Sequence, residues 1–371
     1  MSEKQNDFLT ISIIAVIVLA FAVLDFLYQM GLIYQDPSVT LDPQPAFSAR
    51  SFLTGTYLED YGNYADSHFY NKNKWAGLVR ETELLLGKKE FQGVLLGKQK
   101  TYFEKHLAQD VSAAQVTESL EFLETLTTQY GAKVMLLPTA DEIWRDRLPL
   151  YLDSMNQKAY LDQVREAVGD EAYIDMYSVL WAHRAEEIYH RTDPHWTSLG
   201  AYYGYQTWWK QSGKLLPYYY DLSHMSVIAS YFKGTLVRTA DMEDAGEELT
   251  VFEETQGKLV DVSYDGRVSV QGYYRPEYLD SDNPYGYVLG DGFGYAKIDT
   301  GLERKDSLVV IGDSYANAMI PLLAPHYQTI YFVNPGNYHG DLWSLLTQQN
   351  KSEVLVLGSI PALLNWFGQK E

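Results

Sequence analysis

The chain begins polar and then runs apolar from Phe8 to Leu24, 17 positions interrupted only by Thr10 and Ser12. As a helix rising 1.5 Å per residue, that run spans about 25 Å, slightly less than a bilayer core. Phe26, Leu27, Tyr28, Met30, Leu32, Ile33 and Tyr34 lengthen it sufficiently, with Asp25 near one interface. Ala20-Phe21-Ala22 imitates a signal-peptidase site, but more apolar sequence follows where a polar mature start is needed. The pattern predicts a retained transmembrane anchor over residues 1–34. Only Lys4 precedes the span, beside Glu3 and Asp7, so the charge signal for orientation is weak. Placing the bulk of the chain outside rests on the lack of a second span.

Pro37, Pro43 and Pro45 predict an extended linker over residues 35–50, and residues 51–371 are expected to form one extracytoplasmic domain. Residues 51–105 are mixed and aromatic, with a turn expected at Gly97-Lys98-Gln99. Ser112 and Gln115 form a capping box, followed by an apolar helix face of Val116, Leu120, Leu123 and Leu126 that ends at Gly131. Lys133–Leu137 reads as a buried strand closed by Pro138. A helix is predicted from Ser154 to Val168, a strand over Tyr173–Tyr177, and a helix from Thr197 or Ser198 to Gly213. Ser307–Ile311, Thr329–Val333 and Val354–Leu357 are three further apolar strands with helices between them. This alternation predicts an α/β fold, a parallel sheet flanked by helices. Residues 215–300 break the pattern with short alternating stretches such as Arg267-Val268-Ser269-Val270, and are expected to be a β-rich insertion.

Composition narrows the function. The 371 residues are 46% hydrophobic and 21% charged, as in folded globular proteins. The absence of cysteine removes disulfides and thiolate metal sites. A formal charge of −20 argues against nucleic acid, which requires a basic face. The 31 tyrosines suit sugar rings, and equally suit ordinary half-buried surfaces.

Two motifs carry the candidate chemistry. Gly312-Asp313-Ser314-Tyr315 lies between an apolar strand and a predicted helix. A serine on such a turn has its hydroxyl lifted clear of the sheet, with the helix N-terminus favouring developing negative charge. Its bland alternative is a helix cap supplied by Asp313 or Ser314. Arg191-Thr192-Asp193-Pro194-His195-Trp196 comes earlier, and alternation along an extended chain can aim Asp193 and His195 to one side. Together the motifs predict a serine acyl-transfer site, with His195 as base and Asp193 as its orienting carboxylate. His183, His190, His326 and His339 lack metal-ligand spacing, so no metal is expected.

The two motifs as a pair resemble the DHHW family and the alginate O-acetylation proteins AlgJ and AlgX, which are related to SGNH-type esterases. Gly93-Val94-Leu95-Leu96-Gly97-Lys98, Leu137-Pro138-Thr139 and the stretch from Tyr327 to Asn334 add to the likeness, which covers most of the chain beyond Arg50. The Asp/His block precedes the serine, the reverse of ordinary SGNH enzymes and the order of the alginate O-acetyltransferases. Pro194 replaces the second histidine of the DHHW pattern, a position that a triad does not require. The resemblance implies an SGNH-hydrolase-like domain with Ser314 as nucleophile, His195 as base and Asp193 as orienter. It further suggests Gly336 and Asn337 as oxyanion donors beside the Ser314 amide, and Trp196 and Tyr315 as substrate contacts. The implied reaction is O-acetyl transfer to an exopolysaccharide or cell-wall glycan without a soluble cofactor. A membrane-bound O-acyltransferase would be the acetyl donor. A carbohydrate esterase with the same triad and a noncatalytic glycan-binding assembly factor remain the alternatives.

Overall fold

The computed structural model describes residues 3–33, 42–70, 72–149, 152–212, 220–244, 246–256, 258–303 and 305–368. It divides into two compact units, Met1–Lys88 and Lys89–Glu371. In the first, helix α1 (Glu3–Gln29) contains Ile11–Tyr28, a stretch long and apolar enough to cross a membrane. Short helices α2 (Ala49–Leu53), α3 (Thr56–Ser67) and α4 (Lys72–Leu85) follow. The Ser48 hydroxyl starts α2 by accepting from the Ser51 amide, so the expected linker is already helical from Ala49. Its first part, including Pro37, lies outside the described residues.

The second unit opens with three short antiparallel strands, β1 (Glu90–Phe91), β2 (Val94–Leu96) and β3 (Tyr102–Glu104). The Ser112–Gln115 capping box starts α5 (Ala113–Tyr130), and Gly131, in the left-handed region, stops it. Strand β4 (Lys133–Leu137) leads into the short helix α6 (Ala140–Ile143). Helix α7 (Gln157–Val168) begins three residues later than the sequence suggests, where Asn156 caps it. The strand expected over Tyr173–Tyr177 does not form. Tyr173 makes one isolated bridge to Val134, and the Asp175 carboxylate caps α8 (Met176–Ala182) by accepting from Ser178. Helix α9 (Ser198–Gln211) is capped by Thr197, and the predicted end at Gly213 lies outside the described residues.

The β-rich stretch supplies β5 (Met225–Phe232), α10 (Thr235–Thr239), β6 (Glu247–Phe252), β7 (Asp261–Tyr264), β8 (Val268–Gln271) and β9 (Tyr295–Asp299). Among the described residues β5 and β6 pair only with each other, whereas β7, β8 and β9 join the main sheet. The chain closes with β10 (Ser307–Gly312), α11 (Ala316–Leu323), β11 (Thr329–Val333), α12 (Leu342–Gln348), β12 (Glu353–Ser359) and α13 (Ile360–Asn365). Among the described residues the main sheet has the order β4-β12-β10-β11-β9-β7-β8. Its first four strands are parallel, and the last three are antiparallel additions. The sheet is therefore mixed, since the supposed insertion extends it.

Strand β10 is buried on both faces, which explains its unbroken aliphatic run. Leu308 and Val310 enter one core with Trp196, Met319 and Phe332, while Val309 and Ile311 enter a second with Leu123, Val164 and Leu363. Because β4, β10, β11 and β12 run in one direction, the segments after Leu137, Gly312, Val333 and Ser359 gather at one edge. Such an edge is where open α/β sheets place ligands.

Candidate active site

Gly312 lies so close to β12 that a Cβ there would sit 1.8 Å from the Leu357 carbonyl oxygen. Only glycine lets the strand end against its neighbour and turn. Asp313 then closes the turn that leads into α11. Its carboxylate accepts from the Tyr315 amide at 3.0 Å and from the Ser359 amide and hydroxyl at 3.1 and 2.7 Å. Burial lifts this carboxyl above the usual range, although those hydrogen bonds and the charge of His195 pull it down. Among the described residues no side chain caps α11, and the half-buried Ser314 hydroxyl has another partner.

That partner is His195, whose Nε2 lies 2.6 Å from Ser314 Oγ across 119 positions of sequence. Its Nδ1 lies 2.6 Å from Asp193 Oδ1. The other Asp193 oxygen accepts from the Thr235 amide at 3.0 Å and the Thr235 hydroxyl at 3.2 Å. Burial alone would raise the Asp193 carboxyl, but His195, His190 and the Thr235 amide hold it below the usual value. Asp193 is thus an ionised acceptor, and the His195 proton belongs on Nδ1.

Four residues that the sequence did not single out, Gly234, Thr235, Glu247 and Tyr285, complete this arrangement, and all lie within the β-rich stretch. Gly234 approaches so closely that a Cβ would stand 2.3 Å from that of Asp193. Glu247 Oε1 accepts from the Thr192 amide at 2.8 Å and hydroxyl at 2.6 Å, and Oε2 accepts from the Arg191 amide at 3.0 Å. His190 Nδ1 lies at ion-pair distance, 3.5 Å, from the same carboxylate. Burial opposes charge on both partners, but their attraction raises His190 and lowers Glu247. The ring of Tyr285 stacks on the His195 imidazole with centroids 3.8 Å apart and planes 4° from parallel. No local signal marks these residues, although Gly234-Thr235 does open the short helix α10.

Trp196 and Tyr315, expected to contact substrate, instead face the interior. Trp196 is 0% exposed and its Nε1 donates to the Tyr315 carbonyl at 2.8 Å. The Tyr315 hydroxyl donates to the Pro194 carbonyl, so these two aromatic residues tie the motifs together and leave no face for a sugar. Gly336 and Asn337 lie in the exposed loop after β11, at the expected sheet edge, but their amides are already engaged. The Gly336 amide donates to Asn334 Oδ1 at 3.1 Å and the Asn337 backbone amide to the Asn334 carbonyl at 3.0 Å, so both backbone donors are used within the loop. Among the described residues, no group of three or more histidine and carboxylate side chains could hold a metal.

The sequence matches the DHHW protein family over residues 94–333, well over half of the chain. No curated protein sequence matches it. Among solved structures, a DHHW family protein from Eubacterium siraeum superposes with a TM-score of 0.59 at 17% identity, over 76% of this chain and 96% of that one. Bacillus cereus PatB1, solved with a sulfonyl adduct, gives 0.58 at 16% identity, over 75% of this chain and 100% of its own. The O-acetyltransferase domain of Pseudomonas putida AlgJ gives 0.44 at 15% identity, over 75% and 98%. The first two likenesses show that the fold is shared.

Proposed function

Because this chain belongs to the DHHW protein family, we propose that it is a membrane-anchored, extracytoplasmic serine O-acetyltransferase acting on polysaccharide hydroxyls. The observation that carries the proposal is the unbroken line of hydrogen bonds from Asp193 through His195 to Ser314. The apolar helix α1 supports the anchor.

In this reading Ser314 Oγ attacks the carbonyl carbon of an acetyl ester while His195 Nε2 takes the hydroxyl proton. The oxyanion that forms is met by the Ser314 amide, which has no partner among the described residues and lies at the start of α11. Collapse of the adduct breaks the donor C–O bond, and the departing oxygen takes the proton from His195. A sugar hydroxyl then attacks acetyl-Ser314 and gives its proton to His195, which returns a proton to Ser314 Oγ as the enzyme–acetyl bond breaks. Asp193 stays ionised throughout, fixing the imidazole tautomer and stabilising its cation. A membrane-bound O-acyltransferase is the proposed source of acetyl groups, and no soluble cofactor takes part.

Full-length protein in detergent, exposed briefly to 4-nitrophenyl acetate, should gain one acetyl mass on the peptide containing Ser314. Ser314→Ala should abolish that adduct while the fold persists. Adding glycan oligosaccharides should divert acetyl groups from free acetate to acetylated sugar. Acetate as sole product with every acceptor would make the protein an esterase, and an adduct that survives Ser314→Ala would refute the nucleophile.

A further inference from the structure

Helix α4 carries an apolar stripe that its own unit does not cover. Trp75, Leu78, Val79 and Leu85, with Leu86 just beyond, fall on one helical face by their spacing. They are 37%, 52%, 59%, 88% and 83% exposed. Helices α2 and α3 bury no residue and add exposed Phe52, Leu53 and Leu58. An apolar surface of this extent marks a binding face rather than ordinary scatter.

We infer that α4 is an interfacial helix, lying along the lipid surface beside α1 with this stripe in the acyl-chain boundary. The inference rests on the reading of α1 as a span, and two observations select lipid as the occupant. The first is depth. Phe21 of α1 meets Trp75 with ring centroids 5.0 Å apart and Phe69 at 6.0 Å, while Tyr28 meets Tyr70 at 5.7 Å. Phe21 lies seven residues before Tyr28, where the apolar stretch Ile11–Tyr28 ends. Seven residues of helix correspond to roughly 10 Å. An interfacial helix buries its apolar face about 5–10 Å into the headgroup boundary, so Trp75 meets the span at the depth such a helix reaches. The ring pairs nearest the end of the span, Tyr28 and Tyr70, are of the kind that settles at headgroup level.

The second observation is charge. Residues 72–88 hold four cations, Lys72, Lys74, Arg80 and Lys88, against Glu81 and Glu83, in a chain whose formal charge is −20; Lys72 is paired with Asp66 and Lys88 with Glu83, so with Asp66 counted the local excess is one positive charge. A locally basic amphipathic helix in an acidic protein complements anionic phospholipid, and each nearby cation strengthens that attraction.

The absence of native cysteine makes the test direct. Single variants Leu78→Cys, Leu85→Cys, Arg80→Cys and, on the span, Ile14→Cys would be spin-labelled in the full-length protein, Arg80 falling on the helical face opposite the stripe. They would be reconstituted into phosphatidylethanolamine–phosphatidylglycerol vesicles, and label collisions with oxygen and with a water-soluble nickel chelate measured. Labels at Leu78 and Leu85 should be open to oxygen and shielded from the chelate, shallower than Ile14, with Arg80 showing the reverse. Chelate access at Leu78 and Leu85 equal to that at Arg80 would overturn the inference by placing the stripe in water. Shielding from both reagents would overturn it in favour of a second copy or a protein partner. Chelate access at Ile14 refutes the span separately, whatever the α4 labels report.

Discussion

Gly234→Ala tests whether the β-rich stretch positions the Asp193 carboxylate of the proposed triad. The new Cβ would stand 2.3 Å from Asp193 Cβ, 2.6 Å from the Thr192 carbonyl oxygen and 2.7 Å from Asp193 Oδ2. Ordinary contact begins at 3.4 Å, so one of the two segments must retreat by about 1 Å. Asp193 is held from both sides, by the Thr235 amide and by His195, and cannot move without lengthening at least one of those bonds. A displacement of about 1 Å in a catalytic group costs roughly 100-fold in rate, and overpacking of this kind costs about 1–3 kcal/mol of stability. Burst kinetics with 4-nitrophenyl acetate should therefore show acylation of Ser314 slowed about 100-fold, with KM little changed because the strain falls on Asp193 and Thr192. Circular dichroism and thermal unfolding would establish that the variant is folded at the assay temperature. Thr235→Val, which removes the hydroxyl donor and keeps the amide, should lose only about 2–10-fold. Wild-type acylation in Gly234→Ala would refute the reasoning, as would a loss no larger than the fraction of protein unfolded.

Two further outcomes follow from other contacts. The Tyr285 hydroxyl is buried with no partner among the described residues while its ring covers His195; Tyr285→Phe should therefore keep ester turnover within about threefold and raise the thermal midpoint, whereas Tyr285→Leu should lose turnover about tenfold or more. Equal turnover in both variants would show that the stack has no part in positioning the base. His106 lies between Asp141 at 3.1 Å and Glu104 at 3.5 Å; burial would lower it, but the two carboxylates win and raise it to about 10. Because this folded-state value exceeds the unfolded one, the stabilisation is complete below about pH 6.5 and disappears as pH rises towards 10. The thermal midpoint should decline over that window, and His106→Gln should flatten the decline; an unchanged slope in the variant would exclude His106 as its source.

Much of the molecule was legible locally. The capping box at Ser112, the stop at Gly131, the strands Lys133–Leu137 and Ser307–Ile311 and the helix after Thr197 depend on residues within a few positions of one another. Periodicity and capping register such contacts directly in the sequence. The same proximity explains the misreading of Tyr173–Tyr177, whose aromatic pattern suits a strand until Asp175 accepts from the Ser178 amide and starts a helix. Trp196 and Tyr315 belong to motifs suggestive of function, yet each is placed by the other motif, Trp196 by the Tyr315 carbonyl 119 positions away and Tyr315 by the Pro194 carbonyl 121 positions away.

The sequence by itself determined the apolar N-terminal helix, the positions of four main strands along the chain and the two motifs that hold Asp193, His195 and Ser314. Tertiary structure alone decided that the β-rich stretch extends the sheet and holds the Asp193 loop through Gly234, Thr235, Glu247 and Tyr285. The Thr235 and Glu247 contacts bridge 42 and 55 positions. Over such separations no spacing or propensity links the partners, and only the folded chain brings them within hydrogen-bonding distance.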